Sequence, residues 1–239
     1  MPNTSLKAVF FDAGGTILAP NPSFHEIYRR VLAPVGVRAK PEALRDAALE
    51  TWGEFDAAIG RGVDRYSHYP GGEQEYWKRF VRRVLERVSE PERADAAADA
   101  LQAAFSDPTV WVVFPEVVPT VSALKERGLR LGIISNWDSR LRGLLDAHGL
   151  SPQFDPIVVS CEAGVEKPGA GIFTHALRAA GLAPEETLHV GDDLVSDYEG
   201  ARSAGMTGVL LVRKGSAPAG VLSVTALDGL IPIVDGLAA

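Results

Sequence analysis

The stretch Ala8-Val9-Phe10-Phe11-Asp12-Ala13-Gly14-Gly15-Thr16 decides the fold. Four apolar residues in a row, without polar alternation, describe a strand buried on both faces, as inside a parallel sheet. Two glycines then end it. Asp12 therefore stands at the carboxyl end of a parallel strand, the edge at which open α/β sheets bind ligands. Taken alone, such an acid could equally cap a turn. Its partners further along the chain decide.

After Thr16 the pattern becomes helical and stays so to about Phe105. Leu44, Ala48, Trp52, Phe55 and Ile59 recur at three- and four-residue steps, as do Tyr76, Phe80, Val84 and Val88. Pro41 and Pro91 stand where proline opens a helix. The expectation is a four-helix insert whose aromatic stripes form helix–helix core. From Pro115 onward helices and strands alternate. Strands are expected near 129–134, 157–159, 187–190 and 208–212, the last clear one. Helices are expected over 117–127, 139–147 (N-capped by Asp138), 171–180 and 195–204. Strands separated by 10 to 15 helical residues indicate βαβ units. The fold class is thus α/β, a Rossmann-like parallel-sheet core flanked by helices. Residues 1–16 and 113–239 form that core, and residues 17–112 an inserted all-helical cap domain.

The bulk properties narrow the function. A chain of 239 residues with 46% apolar content can bury a real core. Its net charge of -7 and the lack of a Lys/Arg block argue against a nucleic-acid partner. No run approaches the ~18 apolar residues of a membrane span, and the first residues lack the apolar stretch of a signal peptide, so a cytoplasmic protein is expected. The one cysteine, Cys161, excludes a disulfide framework, and its neighbour Glu162 disfavours a thiolate, which makes it structural. The five histidines do not pair at metal-ligand spacing.

Polar groups follow the strands: Asp12, Ser135-Asn136, Lys167, and Asp192-Asp193 with Asp197. In a parallel sheet these lie along one edge and can converge. Gathered carboxylates need a cation, and hard oxygen ligands suit Mg²⁺. Lys167 and Ser135 supply an ammonium and a hydroxyl donor. A nucleophile, a metal and charge-neutralising donors are what phosphoryl transfer requires.

The segments FFDAGGTIL (10–18), IISN (133–136), EKPGAGIF (166–173) and GDDLVSDYEGARSAGM (191–206) together resemble the haloacid dehalogenase superfamily of hydrolases, with a helical cap after the first strand. The turn Ser135-Asn136-Trp137-Asp138, the stretch Cys161-Glu162-Ala163-Gly164 and the pair Tyr76-Trp77 resemble its rhythmically-expressed-gene-2-like group. The resemblance implies a Mg²⁺-dependent phosphatase acting on a small phosphorylated molecule. Asp12 is then the nucleophile that forms an aspartyl-phosphate. Ser135, with the backbone amide of Asn136, binds the phosphate, and Lys167 stabilises Asp12 and the transferring group. Asp12, Asp192 and the carbonyl of Gly14 hold Mg²⁺, with Asp193 or Asp197 beside it or just behind. Gly15 and Thr16 shape the turn next to the phosphate.

One position departs from the family's pattern. Its phosphatases carry a second aspartate two residues after the nucleophile, which protonates the leaving alkoxide and activates water. Here that position is Gly14. General acid–base help is worth roughly 10²–10⁴ in rate, so a Gly14→Asp substitution is expected to raise turnover. Two other readings follow from the departure. One is carbon–halogen or carbon–phosphorus cleavage, the latter using a cap lysine (Lys40 or Lys78). The other is a non-catalytic phosphate- and Mg²⁺-binding regulatory protein. The loop 60–72, with Arg61, Arg65 and His68, is a candidate lid over the site; an ordinary solvated loop is the alternative.

Overall fold

The apolar run read first forms strand β1 (Ala8–Phe11) in the computed structural model, which describes residues 6–60 and 62–238. A short ribbon follows, β2 (Leu18–Pro20) pairing antiparallel with β3 (Trp111–Val113). Four helices lie between its strands among the described residues: α1 (Phe24–Leu32), α2 (Pro41–Ala58), α3 (Gly72–Arg87) and α4 (Ala94–Ser106). The chain then alternates through α5 (Val117–Glu126), β4 (Arg130–Ser135), α6 (Arg140–Ala147) and β5 (Ile157–Val159). It continues with α7 (Ser160–Ala163), α8 (Ala170–Ala180) and β6 (Thr187–Gly191). After a π-helical turn at Leu194–Glu199 come α9 (Gly200–Ser203), β7 (Thr207–Leu211), β8 (Ser223–Val224) and α10 (Leu230–Ala238).

The main sheet runs β5-β4-β1-β6-β7-β8, every pair parallel. β1 is its central strand, and its side chains alternate between two buried layers. Val9 and Phe11 pack with Val117, Leu141 and Leu230 from α5, α6 and α10. Ala8 and Phe10 pack with Ile172, Phe173 and Ala201 from α8 and α9. Burial on both faces is why this strand reads as an unbroken apolar run. The four inserted helices close round a separate cluster that includes Leu32, Leu44, Phe80, Val84 and Leu101.

Several expectations need adjustment. The ribbon was not foreseen, and it straddles the expected boundary near residue 112, since a three-residue strand carries little pattern. β8, two residues long, escapes for the same reason. Helix α6 begins after Ser139, and Asp138 is not its N-cap residue; its carboxylate nevertheless accepts the Arg140 backbone N–H at 3.1 Å. The helix expected over 195–204 opens as a π turn, in which the Tyr198 N–H donates to the Asp193 carbonyl at 3.3 Å. The aromatic stripe on α2 is also not all core: Trp52 is 37% exposed and lines a cavity.

Candidate active site

The parallel register assembles the site. Phe11 lies opposite Ile133 on one side and Val190 on the other. The residues that follow, Asp12, Ser135 and Asp192, therefore reach the same sheet edge. Gly15 completes the turn with φ +73°, a left-handed conformation suited to glycine. A Cβ on Gly15 would also stand 2.2 Å from Asp192 Oδ2.

Asp12 is buried, and one of its oxygens is fully engaged. Oδ1 accepts the Ser135 hydroxyl at 2.9 Å and the Lys167 ammonium at 2.7 Å. Oδ2 takes no hydrogen bond among the described residues. Lys167 also donates to Asp197 Oδ1 at 2.5 Å. Burial opposes its charge, but the two carboxylates outweigh that and raise its pKa. Burial likewise pushes the Asp12 carboxyl upward, against the pull of Lys167.

Asp197 has its acceptors filled. Oδ1 receives Lys167 and His189 Nε2 (3.0 Å), and Oδ2 receives the Asp193 backbone N–H at 3.0 Å. Burial disfavours its ionisation, yet Lys167 and His189 hold the carboxyl well below the usual range. A carboxylate only accepts, so His189 presents Nε2–H. Burial lowers the His189 pKa, which keeps the ring neutral. The Asp193 carboxylate is committed elsewhere, accepting the Val195 and Ser196 N–H groups at 3.0 and 2.6 Å. Asp192 opens onto the cavity with no such commitment. Burial, then the charges of Asp12 and Asp197, push its carboxyl up to about 7.

Asp12, Asp192 and Asp197 offer oxygens that all lie within 4.8 Å of one another. One lysine faces three carboxylates, so the set fits a hard cation, which would relieve the repulsion that Asp192 registers. Asp12 and Asp192 have oxygens to give, whereas those of Asp197 are spoken for. Of the two acids that sequence left open, Asp193 caps the next turn and Asp197 positions Lys167.

The remaining candidates fall into place around this cluster. The Asn136 side chain clamps the Lys167 backbone, donating to its carbonyl at 2.8 Å and accepting its N–H at 2.7 Å. Thr16 is fully buried with an unpartnered hydroxyl and does not line the cavity; its place is in the turn. Gly14 does line it. A Cβ there would stand 3.1 Å from Trp137 Cζ3. Trp137 packs on Trp111 at 5.0 Å between ring centroids, and its backbone N–H donates to Ser160 Oγ at 3.1 Å. The expected gain from Gly14→Asp therefore requires a held tryptophan to yield.

Sequence reasoning passed over three contributors. His189 is a polar residue within an otherwise apolar strand, which was the available signal. Arg213, just past β7, donates to the Gly15 and Thr16 carbonyls (2.9 Å each) and pairs with Glu116 at 2.6 Å, pinning the turn after Asp12. Trp137 carried no signal beyond its place in the Ser-Asn-Trp-Asp turn.

A cavity of about 750 Å³ extends from Asp12 beneath the inserted helices. The loop 60–72 reaches across to the core. The Arg65 guanidinium meets Glu166 at 2.9 Å and Asp56 at 2.8 Å, and Val63 bridges to Val165. Arg65 lines the cavity with its charge already paired; His68 is exposed and lies off it, and Arg61 falls outside the described residues. Trp77 Nε1 donates to Asp138 at 2.8 Å, a second tie between helices and core. Neither Lys40 nor Lys78 lines the cavity.

A family signature described as haloacid dehalogenase-like hydrolase matches residues 6–205. The chain belongs to that family. It is 33% identical over 214 residues to haloacid dehalogenase-like hydrolase domain-containing protein 3 of Danio rerio, covering 87% of this chain and 86% of the relative. It is 33% identical over 233 residues to the phosphoserine phosphatase of Thermus thermophilus, covering 87% and 89%. The crystal structure of a HAD phosphatase from Thermococcus onnurineus superposes with a TM-score of 0.68 at 26% identity, covering 97% of this chain and 99% of that one. The protein is thus a hydrolase on a Rossmann-like sheet. The rhythmically-expressed-gene-2-like likeness rests on its sequence stretches alone. Among the described residues no helix is long and apolar enough to cross a membrane.

Proposed function

We propose that this hydrolase is a Mg²⁺-dependent phosphatase that cleaves a small phosphorylated molecule through an aspartyl-phosphate on Asp12. The observation that carries the reading is the asymmetry of the Asp12 carboxylate. Ser135 and Lys167 both bind Oδ1, which leaves Oδ2 as the free oxygen for attack. Two similar proteins named as phosphatases support it.

In this reading Asp12 Oδ2 attacks phosphorus in line with the departing oxygen. Lys167 and Ser135 sit where they neutralise a phosphoryl oxygen while fixing the nucleophile. Asp197 and His189 hold Lys167 in place from behind, and Asn136 holds its backbone. Asp192 and the Gly14 carbonyl would hold Mg²⁺ against the Asp12 carboxylate, and the ion would screen the carboxylates from the phosphate. Water then cleaves the aspartyl-phosphate and restores Asp12. The core of residues 1–16 and 113–239 carries the chemistry, and the insert of residues 17–112 serves as the cap.

Carbon–halogen cleavage shares the absence of an acid at position 14. The three-carboxylate cluster disfavours it, because a haloacid anion without a cation would meet net negative charge. Carbon–phosphorus cleavage lacks its lysine, since Lys167 is the only lysine lining the cavity among the described residues. A panel of phosphate esters and 2-haloacids, assayed with and without Mg²⁺, tests the proposal. Phosphate release should require Mg²⁺ and fall to background in Asp12→Asn. Release that survives Asp12→Asn, or metal-free halide release, contradicts it.

A further inference from the structure

Resting on the phosphatase reading, we infer that the substrate is a bulky aryl phosphate, whose leaving group departs as an aryl oxide without a proton from the enzyme. Two independent features meet in this class.

The first is the missing acid. Gly14 has no side chain, and the Trp137 ring already stands 3.1 Å from where its Cβ would be. Asp192 also lines the cavity but goes to Mg²⁺ in that reading, Asp197 holds Lys167, and the other acidic groups lining the cavity are engaged as well. Asp56 pairs with Arg65, Asp138 accepts from Trp77 and Arg140, and Asp193 caps its own turn. Burial raises the Tyr28 phenol to about 12, too high to serve as a ready donor near neutrality. An aliphatic alkoxide is too basic to leave unaided; an aryl oxide is stabilised by its ring.

The second is the shape and chemistry of the chamber. Phosphate and its immediate ligands need only the Asp12 end, yet the cavity spans about 750 Å³. Its far walls are Trp52, Trp77, Phe80 and Leu101 from the helices, with Trp111 and Trp137 nearer the site. Trp52 and Trp77 lie stacked at 6.1 Å, with the Arg65 guanidinium 5.0 Å from the Trp52 ring centroid and that of Arg140 5.5 Å from the Trp77 ring centroid, and both rings line the cavity. Such walls reward an aromatic body through burial and ring packing. They offer little to a small polar alcohol.

The step balances without an enzyme acid. Asp12 Oδ2 forms a bond to phosphorus as the phosphorus–oxygen(aryl) bond breaks, and the aryl oxide leaves with the electron pair. Solvent protonates it to the phenol. Water then breaks the aspartyl-phosphate, giving the carboxylate and inorganic phosphate.

The test compares kcat/KM of the full chain with Mg²⁺ on 1-naphthyl, phenyl, cyclohexylmethyl and acetyl phosphates. Naphthyl phosphate should exceed the smaller cyclohexylmethyl ester by at least roughly 10²-fold beyond any difference due to bulk, the lower end of what a general acid supplies. It should exceed phenyl phosphate by roughly ten-fold, through KM, as about 1.4 kcal/mol of extra apolar contact would give. Trp52→Ala should bring that second ratio toward one. Equal rates for naphthyl and cyclohexylmethyl phosphates overturn the inference. Cyclohexylmethyl phosphate turnover that collapses in His25→Gln does so too, by assigning a leaving-group acid to the exposed imidazole lining the cavity. Acetyl phosphate hydrolysis that depends on Asp12, without aryl ester turnover, removes this inference and leaves the phosphatase standing. No release from any of the four removes both.

Discussion

The sheet edge and the helical insert face each other across one cavity and are built on opposite terms. At the edge, nearly every polar atom is committed. Asp12 Oδ1 takes two donors, Asp197 takes three, and Asn136 grips the backbone that presents Lys167. Across the cavity, the insert presents aromatic and aliphatic surface, and its charged residues lining the cavity are paired, Arg65 with Asp56 and Arg45 with Asp46. The difference separates chemistry from selection. In the proposed reading the edge fixes what bond can be attacked, and the insert fixes what may be attached to it. Edge substitutions should therefore lower kcat, and insert substitutions should raise KM or loosen the fold.

The largest expected effect lies at the edge. Lys167→Met removes the cation between Asp12 and Asp197, and kcat should fall by roughly 10²–10³, the cost of losing one preorganised stabilising group. Steady-state kinetics that show only a KM change would erase the separation. Gly14 and Trp137 lie on the border between the two regions. Gly14→Asp alone should give little gain, whereas Gly14→Asp combined with Trp137→Ala should raise turnover of alkyl esters by roughly 10²-fold. A full gain from the single substitution would show that Trp137 does not block the position.

The insert should respond in stability. Arg65→Met leaves Glu166 buried beside Lys167 without its partner and should cost about 3 kcal/mol in urea unfolding at neutral pH. A loss of only a few tenths would mean that the pair ties nothing. The smallest effect concerns Cys161. Burial, then nearby acids, raise its thiol to about 12, so thiolate is scarce below that pH. Alkylation at pH 8, followed by mass spectrometry, should run slower than that of free cysteine.

The same division governed what could be read in the sequence. Asp12, Ser135 and Asp192 each end or follow an apolar run, so their convergence follows from parallel topology alone. Lys167, read as following the third strand of the parallel series, arrives from a loop and is held by the Asn136 clamp, a contact that neither strand pattern nor resemblance supplied. The roles of Asp193 and Asp197 were not separable, because they depend on a π turn that local composition does not announce. Trp137 is 123 residues from Gly14, and Arg65 is 101 from Glu166. Contacts that close such distances are set by the finished packing and leave no local mark. The aromatic stripe on α2 was read as core because periodicity identifies a buried face without saying whether protein or ligand covers it.

The most direct test of the account is to trap the intermediate. Wild-type protein with Mg²⁺ and 1-naphthyl or acetyl phosphate would be quenched in acid during turnover, reduced with borohydride and analysed by peptide mass spectrometry. Homoserine, the reduction product of an aspartyl-phosphate, is expected at position 12, and none in Asp12→Asn. Turnover with Asp12 recovered unmodified would contradict it.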